Sequence, residues 1–243
     1  MKELEDYNYS LLPNDVALKI ASSLEVSDLS SLGSCSRVWR ELCKSDCLWE
    51  SLVRQRWPLL NEAVFKNPNF EGWRGFYIKQ HKEMMNRAAS VVKFVEQCSP
   101  SDSLEVNDHL HAIECLRSIQ FGFKDVQLLL FKPKLNVLLN LVGLHYCLNR
   151  LRVPASDVVE ALESSKISDR QVCVKWWKLG RWFYGFRMRD ESHSRCISLE
   201  DLATSKAEEV LGVLDRGAIH EVLRVQISLA NSTSNHWSSQ SPQ

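Results

Sequence analysis

Few groupings in this chain could perform chemistry. His109, His111 and Cys115 lie close enough in sequence to suggest a metal. An i, i+2 histidine pair does not share one face of a helix, so the spacing fits a solvated or partly buried helix better than a coordination site. His145, Tyr146 and Cys147 are the other catalytic-looking run. Adjacent side chains on a helix point in different directions, and a core helix explains them better. The eight cysteines, at 35, 43, 47, 98, 115, 147, 173 and 196, show neither a disulfide framework nor a zinc spacing. There is no P-loop, nucleophile elbow, paired-histidine metal motif or glycine-rich dinucleotide loop. The sequence therefore reads as non-enzymatic, with no catalytic residue, metal or cofactor to assign.

The richest stretch is "QVCVKWWKLGRWFYGFRMR", residues 171 to 189. Leu179-Gly180 between aromatic runs predicts a two-residue hairpin turn, which would pair Trp177 with Trp182 and Trp176 with Phe183. In that register one face adds Cys173, Tyr184, Phe186 and Met188 and reads as core. The other carries Trp176, Lys178, Arg181, Phe183 and Arg187 and reads as surface. Lys175 and Arg189 extend the basic run, which meets no acid before Asp190. Such a face could bind a substrate peptide, an acidic or phosphorylated segment, or nucleic acid. A half-exposed hairpin whose arginine stems cover apolar surface explains it equally simply.

The elements that position these residues sit on a chain of 243 residues with 30 basic and 30 acidic side chains. That length suits two small domains, and the balanced charge gives no global pull toward nucleic acid or an anionic membrane. The amino terminus "MKELEDYNYS" is acidic and lacks an apolar core, so no secretory signal is expected, and free thiols fit a reducing compartment, cytosol or nucleus. The longest apolar stretch, "LNVLLNLVGLHYCL", is shorter than the roughly twenty residues a spanning helix needs. It reads as a buried helix.

Four short helices are expected in the first sixty residues. Pro13 and Asn14 open one with Val16, Ala17, Ile20 and Leu24 at helical spacing. Ser27 suits the cap of "DLSSL", and Gly33 a chain reversal behind it. Ser36 caps "RVWREL", where Val38, Trp39 and Leu42 can face inward, and Asp46 caps "CLWESLVRQRW" with Leu48, Trp49, Leu52 and Val53 apolar. Helices this short are marginal alone and must pack on one another and on something else.

The order Leu12-Pro13, then Ile20 and Leu24, then Asp28, Leu29 and Leu32, then Ser36 and Trp39, then Leu48 and Trp49 resembles the F-box, over about 11 to 57. Cys35 departs from the valine that family usually places before the serine; a small buried thiol can replace it. The resemblance implies docking on the Skp-family adaptor of a cullin-RING ubiquitin ligase. It implies Leu12, Pro13, Ile20, Leu24, Leu29, Leu32, Trp39, Leu48 and Trp49 as adaptor-binding residues, with Trp39 and Trp49 shared between core and interface. The alternative is that Trp39, Trp49 and Trp57 only fill an intramolecular core.

The expected organisation is a flexible amino terminus at 1–10, an F-box at 11–58, a linker with a long helix at 59–103, a carboxy-terminal α+β domain at 104–230 for substrate recognition, and a disordered tail at 231–243. The fold class is mainly α with a small β component. "FEGWRGFYIKQHKEMMNRAASVVKFVEQC" predicts a helix over about 72–97, roughly 38 Å long, either a rigid spacer or a core helix. Asp108 is expected to start "HLHAIECLRSI", Pro133 to precede "KLNVLLNLVGLHYCLNRL", and Ser156 to cap "DVVEALESS". Ser198 and Gly217 bound a helix at 199–215, and "IHEVLRVQISL" is a strand. No leucine-rich, WD or kelch repeat is present. The functional expectation is a substrate receptor of a ubiquitin ligase; the alternative is a nucleic-acid binder with a winged-helix-like carboxy-terminal domain.

Overall fold

A computed structural model describes residues 12–24, 26–58, 72–204, 206 and 208–230. The expected flexible terminus at 1–10, the loop-like segment "KNPNF" and the tail at 231–243 with Trp237 lie outside the described residues. The architecture is mainly helical with a small antiparallel β component, and it divides into two compact units between Glu83 and Met84. Among the described residues no helix is long and apolar enough to cross a membrane.

The first unit is helical. α1 (Asn14–Ser22) follows Pro13, whose fixed φ suits a helix start, and buries only Ala17 and Ala21. α2 (Val26–Cys35) contains Gly33, so that glycine does not make the expected reversal. Hydroxyls of Ser30, Ser31 and Ser34 bond back to carbonyls four residues earlier and keep the polar turn helical. The reversal comes at Ser36, which accepts from the Trp39 amide at 3.3 Å and caps α3 (Arg37–Leu42) as expected. α4 (Asp46–Arg56) begins after Ser45, with Asp46 inside its first turn rather than at the cap. It buries Leu48, Trp49, Leu52 and Val53.

α5 (Trp73–Cys98) matches the expected long helix within a residue. Its first half closes the unit's core: Tyr77 packs edge-on against Trp49 at 5.4 Å and tilted against Trp57 at 5.2 Å. The Arg56 guanidinium donates to the Tyr77 hydroxyl at 2.7 Å and lies over the Trp57 ring. A buried cation is tolerated because its stem packs and its head has partners.

The second unit surrounds α8 (Val137–Asn149), capped by the Asn136 side chain and buried at every residue from Val137 to Cys147. No face of it is amphipathic because every face meets protein. β1 (Ser103–Glu105), α6 (Val106–Ser118), α7 (Phe123–Leu129) and α9 (Ala155–Ser164) come from the stretch expected to be mostly helical. α6 starts two residues before Asp108, and α9 follows Pro154, with Ser156 inside the helix bonding Asp157 instead of capping it. The polar Asn140 of α8 is satisfied by the Leu130 carbonyl at 2.7 Å and by Arg170.

The sheet contains β2 (Gln171–Lys178), β5 (Glu191–Ser198) and β6 (Val222–Leu229), in the order β1-β6-β2-β5, all antiparallel. Leu104, Val172, Val174, Trp176, Ile197, Val225 and Ile227 fill its buried face. α10 (Leu199–Ala203) and α11 (Glu208–Arg216) replace the single helix expected at 199–215. Ser198 caps the first of them, and Gly217, at φ 71°, follows the second.

The expected hairpin is corrected. β2 does not turn at Leu179-Gly180 to pair with the next aromatics; it pairs with β5, Trp176 opposite His193 and Trp177 opposite Ser192. Residues between them form a separate small hairpin, β3 (Trp182–Phe183) with β4 (Phe186–Arg187). Its turn is Tyr184-Gly185, at φ 49° and 84°. Type I′ turns need positive φ at both central residues, and glycine at the second supplies one at no cost. The shift changes the burial: Trp176 is core, while Tyr184, Phe186 and Met188 are outside, as Phe183 is.

Candidate functional site

Three places gather chemistry. The first is a relay, buried at its two histidines and open at its carboxylate, that the sequence pattern did not reveal. His109 on α6 and His145 on α8 stack with their rings 5.1 Å apart, Nε2 of the former 2.8 Å from Nδ1 of the latter. His145 Nε2 meets the Asp215 carboxylate of α11, and Asn149 also donates to Asp215. An ionised carboxylate requires the proton on His145 Nε2, so His145 Nδ1 accepts from His109 Nε2–H. His109 Nδ1 is then a bare lone pair, fully buried and without a hydrogen bond. Burial, then the neighbouring His145, holds His109 well below the ordinary histidine range. Burial pulls Asp215 upward, but the His145 and Asn149 hydrogen bonds and the Arg150 charge together hold its carboxyl low.

Nothing nucleophilic bonds to this relay among the described residues. Cys147, next along the chain from Tyr146, has its thiol pushed far up by burial, so it is a packing group and not a nucleophile. Tyr146 is pushed up to about 12, chiefly by burial, and donates to the Phe121 carbonyl. His111 lies apart from His109, against Phe94 and 3.7 Å from Cys115. Among the described residues no group of three His, Cys, Asp or Glu could hold a metal. The relay ties α6, α8 and α11 together.

The second place is the small hairpin. Trp182, Phe183, Tyr184, Phe186 and Met188 are all exposed, Tyr184 at 89% and Phe186 at 78%. Of the residues expected to bind substrate, Arg181, Phe183 and Arg187 lie on this surface, whereas Trp176 is 2% exposed and stacks on His193. Lys178 is half-buried at the end of β2. Three of the cations have carboxylate partners from later in the chain: Lys178 with Glu209 at 3.8 Å, Arg181 with Glu221 at 3.3 Å, and Arg187 with Asp190 at 3.1 Å. The Gly180 amide and Arg187 hold the Asp190 carboxyl below its usual range. A disulfide joins Cys173 of β2 to Cys196 of β5, a cross-strand pair, so the expectation of eight free thiols is corrected for these two.

The third place is the surface of the first unit. Leu12, Val16 and Ile20 recur every four residues and stand exposed on one face, with Pro13 beside them. Val38 of α3 is also exposed, not inward as expected, and with Leu18 and Leu42 lines an open depression of about 510 Å³. Leu24, Leu32 and Trp39 are half-buried, while Leu29, Leu48 and Trp49 are core. Trp49 Nε1 donates to the Cys43 carbonyl at 2.8 Å, which fixes its ring inside the unit.

Residues 9–55 match the sequence profile of the F-box-like family. The chain carries an F-box-like domain in its amino-terminal part. The chain is 28% identical over 76 residues to F-box only protein 36 of Mus musculus, covering 31% of this chain and 40% of that one. It is 29% identical over 118 residues to F-box/WD repeat-containing protein 7 of Drosophila melanogaster, covering 44% and 8%. An F-box protein of Arabidopsis thaliana is 24% identical over 140 residues, covering 58% and 51%. The chain thus matches about half or less of the length of each relative. No solved structure matches it significantly.

Within the F-box the order Leu-Pro, apolar helix, Ser-x-x-Trp and Leu-Trp locates the helices. It does not sort interface from core. Val16 and Val38 were legible as apolar helix residues, but their exposure depends on which faces the neighbouring helices cover.

Proposed function

We propose that this protein is the substrate-receptor subunit of a Skp–cullin–F-box ubiquitin ligase, bridging the Skp-family adaptor and a protein substrate. Its F-box would dock on the adaptor through Leu12, Pro13, Val16, Ile20 and Val38, with Leu24, Leu32 and Trp39 at the margin. The single observation that carries this is the set of exposed aliphatic side chains at and just before α1, Leu12, Val16 and Ile20, which the unit's own core leaves partly uncovered. Buried apolar anchors dominate binding energy in interfaces, and aliphatic side chains left half open to water at one end of a helix suit such an interface. Leu29, Leu48 and Trp49 would contribute by holding the helices in place, not by direct contact.

Catalysis would belong to other subunits. The receptor acts by proximity, raising the effective concentration of a substrate lysine near the ubiquitin donor. The carboxy-terminal unit would hold the substrate, and the cytosol or nucleus would be the site of action. The nucleic-acid alternative gains no support from a hairpin whose arginines face Glu221 and Asp190.

Co-purification of the full chain with the Skp-family adaptor tests the reading. A Leu12→Ser, Val16→Ser, Ile20→Ser variant should keep its circular dichroism spectrum and lose the adaptor. Wild type that is folded yet does not bind, or a triple variant that binds as well as wild type, refutes it.

A further inference from the structure

We infer that the open edge of β5, with the aromatic hairpin tethered at its start, is the substrate-docking surface, and that its occupant is an extended acidic segment of a partner protein added as a strand. The inference rests on the substrate-receptor reading and gives that receptor a class of ligand.

β5 is the terminal strand of the sheet, eight residues long and largely exposed, and among the described residues its outer edge pairs with nothing. An edge of this kind presents unpaired N–H and C=O groups that an extended peptide can satisfy. β4 is followed within three residues by β5, so the small hairpin is tethered at the start of that edge strand. Asp190 accepts from the Gly180 amide at 2.8 Å and the Met188 amide donates to the Arg181 carbonyl at 2.9 Å, which closes the hairpin's base. A methyl group on Gly180 would lie 2.0 Å from the Met188 carbonyl oxygen, so only glycine permits this closure. The hairpin then holds Trp182, Phe183, Tyr184, Phe186 and Met188 out in water, an arrangement that costs solubility and adds nothing to the core.

Charge selects the occupant. Residues 171–198 hold six Lys and Arg against Asp190 and Glu191, in a chain that is neutral overall. Glu209 and Glu221 reach into this region, leaving an excess of two cations. Lys175, Arg189 and Arg195 make no ion pair among the described residues; Arg195 lies on β5 and Arg189 just before it, while Lys175 stands one strand in, on β2 opposite Ser194. An acidic strand on this edge would meet Arg189 and Arg195, with Lys175 adding to the local positive charge from the next strand, whereas a second copy of this chain would set the same cations against each other.

The test is selection of a random peptide display library, about twelve residues long, on the full chain, followed by synthesis of the most enriched sequence. The expected winners are acidic, free of proline and apolar at alternate positions. Binding should weaken roughly tenfold in a Trp182→Ser, Phe186→Ser variant and in an Arg189→Glu, Arg195→Glu variant, both checked for folding. Methylating alternate backbone amides of the peptide should weaken it by a similar factor, because strand addition needs those donors. The inference is overturned by no enrichment, by basic or proline-rich winners, by indifference to amide methylation, by an oligothymidylate that displaces the peptide, or by a homodimer that the hairpin variant disperses. Adaptor co-purification in the same preparations separates the two readings. Adaptor bound with no acidic peptide selected sinks the docking surface alone; peptides selected without adaptor binding sink the ligase reading and leave the surface.

Discussion

The helix α8 and the helix α1 use their aliphatic side chains in opposite ways. α8 buries every residue from Val137 to Cys147, including Asn140 and His145, whose polar groups are bonded within the unit. α1 buries two alanines and leaves Val16 and Ile20, with Leu12 just before it, at the surface. A buried leucine stabilises the fold by its transfer from water and its packing contacts, while an exposed one has that free energy still to gain from a partner. The lesson is that a mutation's effect on folding and its effect on function separate in this protein by region: interior helices hold the fold, and the helices and hairpin that leave apolar groups uncovered are the places to look for binding.

The sharpest way to break that comparison is to truncate each helix in turn. Leu141→Ala should destabilise the second unit by about 2–5 kcal/mol in urea unfolding, since a fully buried leucine leaves a cavity. A loss under about 0.5 kcal/mol would mean α8 is not the core it looks to be. The cystine comes next. Cys196→Ser should cost about 2–3 kcal/mol in oxidising buffer and almost nothing with reductant present, because the bond restrains the unfolded chain. Equal loss in both buffers would assign the effect to packing.

The relay sharpens the comparison through pH. His109 is depressed in the folded protein, so its neutral form is favoured there and the unfolded chain binds the proton first. Its stabilising contribution is complete above about pH 6.5 and falls as pH drops below that value, by up to about 1.4 kcal/mol per pH unit until the folded group titrates. Thermal melts at pH 7.5 and 5.5 should differ more in wild type than in His109→Gln. An unchanged pH slope in the variant would show that other groups carry it. The smallest effect on stability is expected at and just before α1, where Leu12→Ser and Ile20→Ser should each change unfolding by less than about 0.5 kcal/mol while removing the adaptor. A large destabilisation there would return those residues to the core and erase the contrast.

Much of this was legible in the chain. Pro13, Ser36 and Ser198 mark helix starts because their local chemistry caps the next turn whatever surrounds it, and α5 follows from the spacing of Trp73, Tyr77, Met84, Ala88, Val91 and Val95. The F-box order is local in the same sense. The aromatic hairpin was legible as a hairpin but not in its register, since two turns compete within seven residues. Tyr184-Gly185 prevails because β5, lying beyond it, claims β2 as its partner.

The sequence by itself determined the short helices of the first unit, the mainly helical class and the absence of a recognisable catalytic motif, because caps and hydrophobic periods act over a few residues. Tertiary structure alone decided which apolar residues face water, that Trp176 is core while Tyr184 and Phe186 are not, that Cys173 meets Cys196, and that His109, His145 and Asp215 line up across three helices. Those outcomes depend on contacts between segments tens of residues apart, and a pattern read along one segment carries no information about the face that another segment will cover.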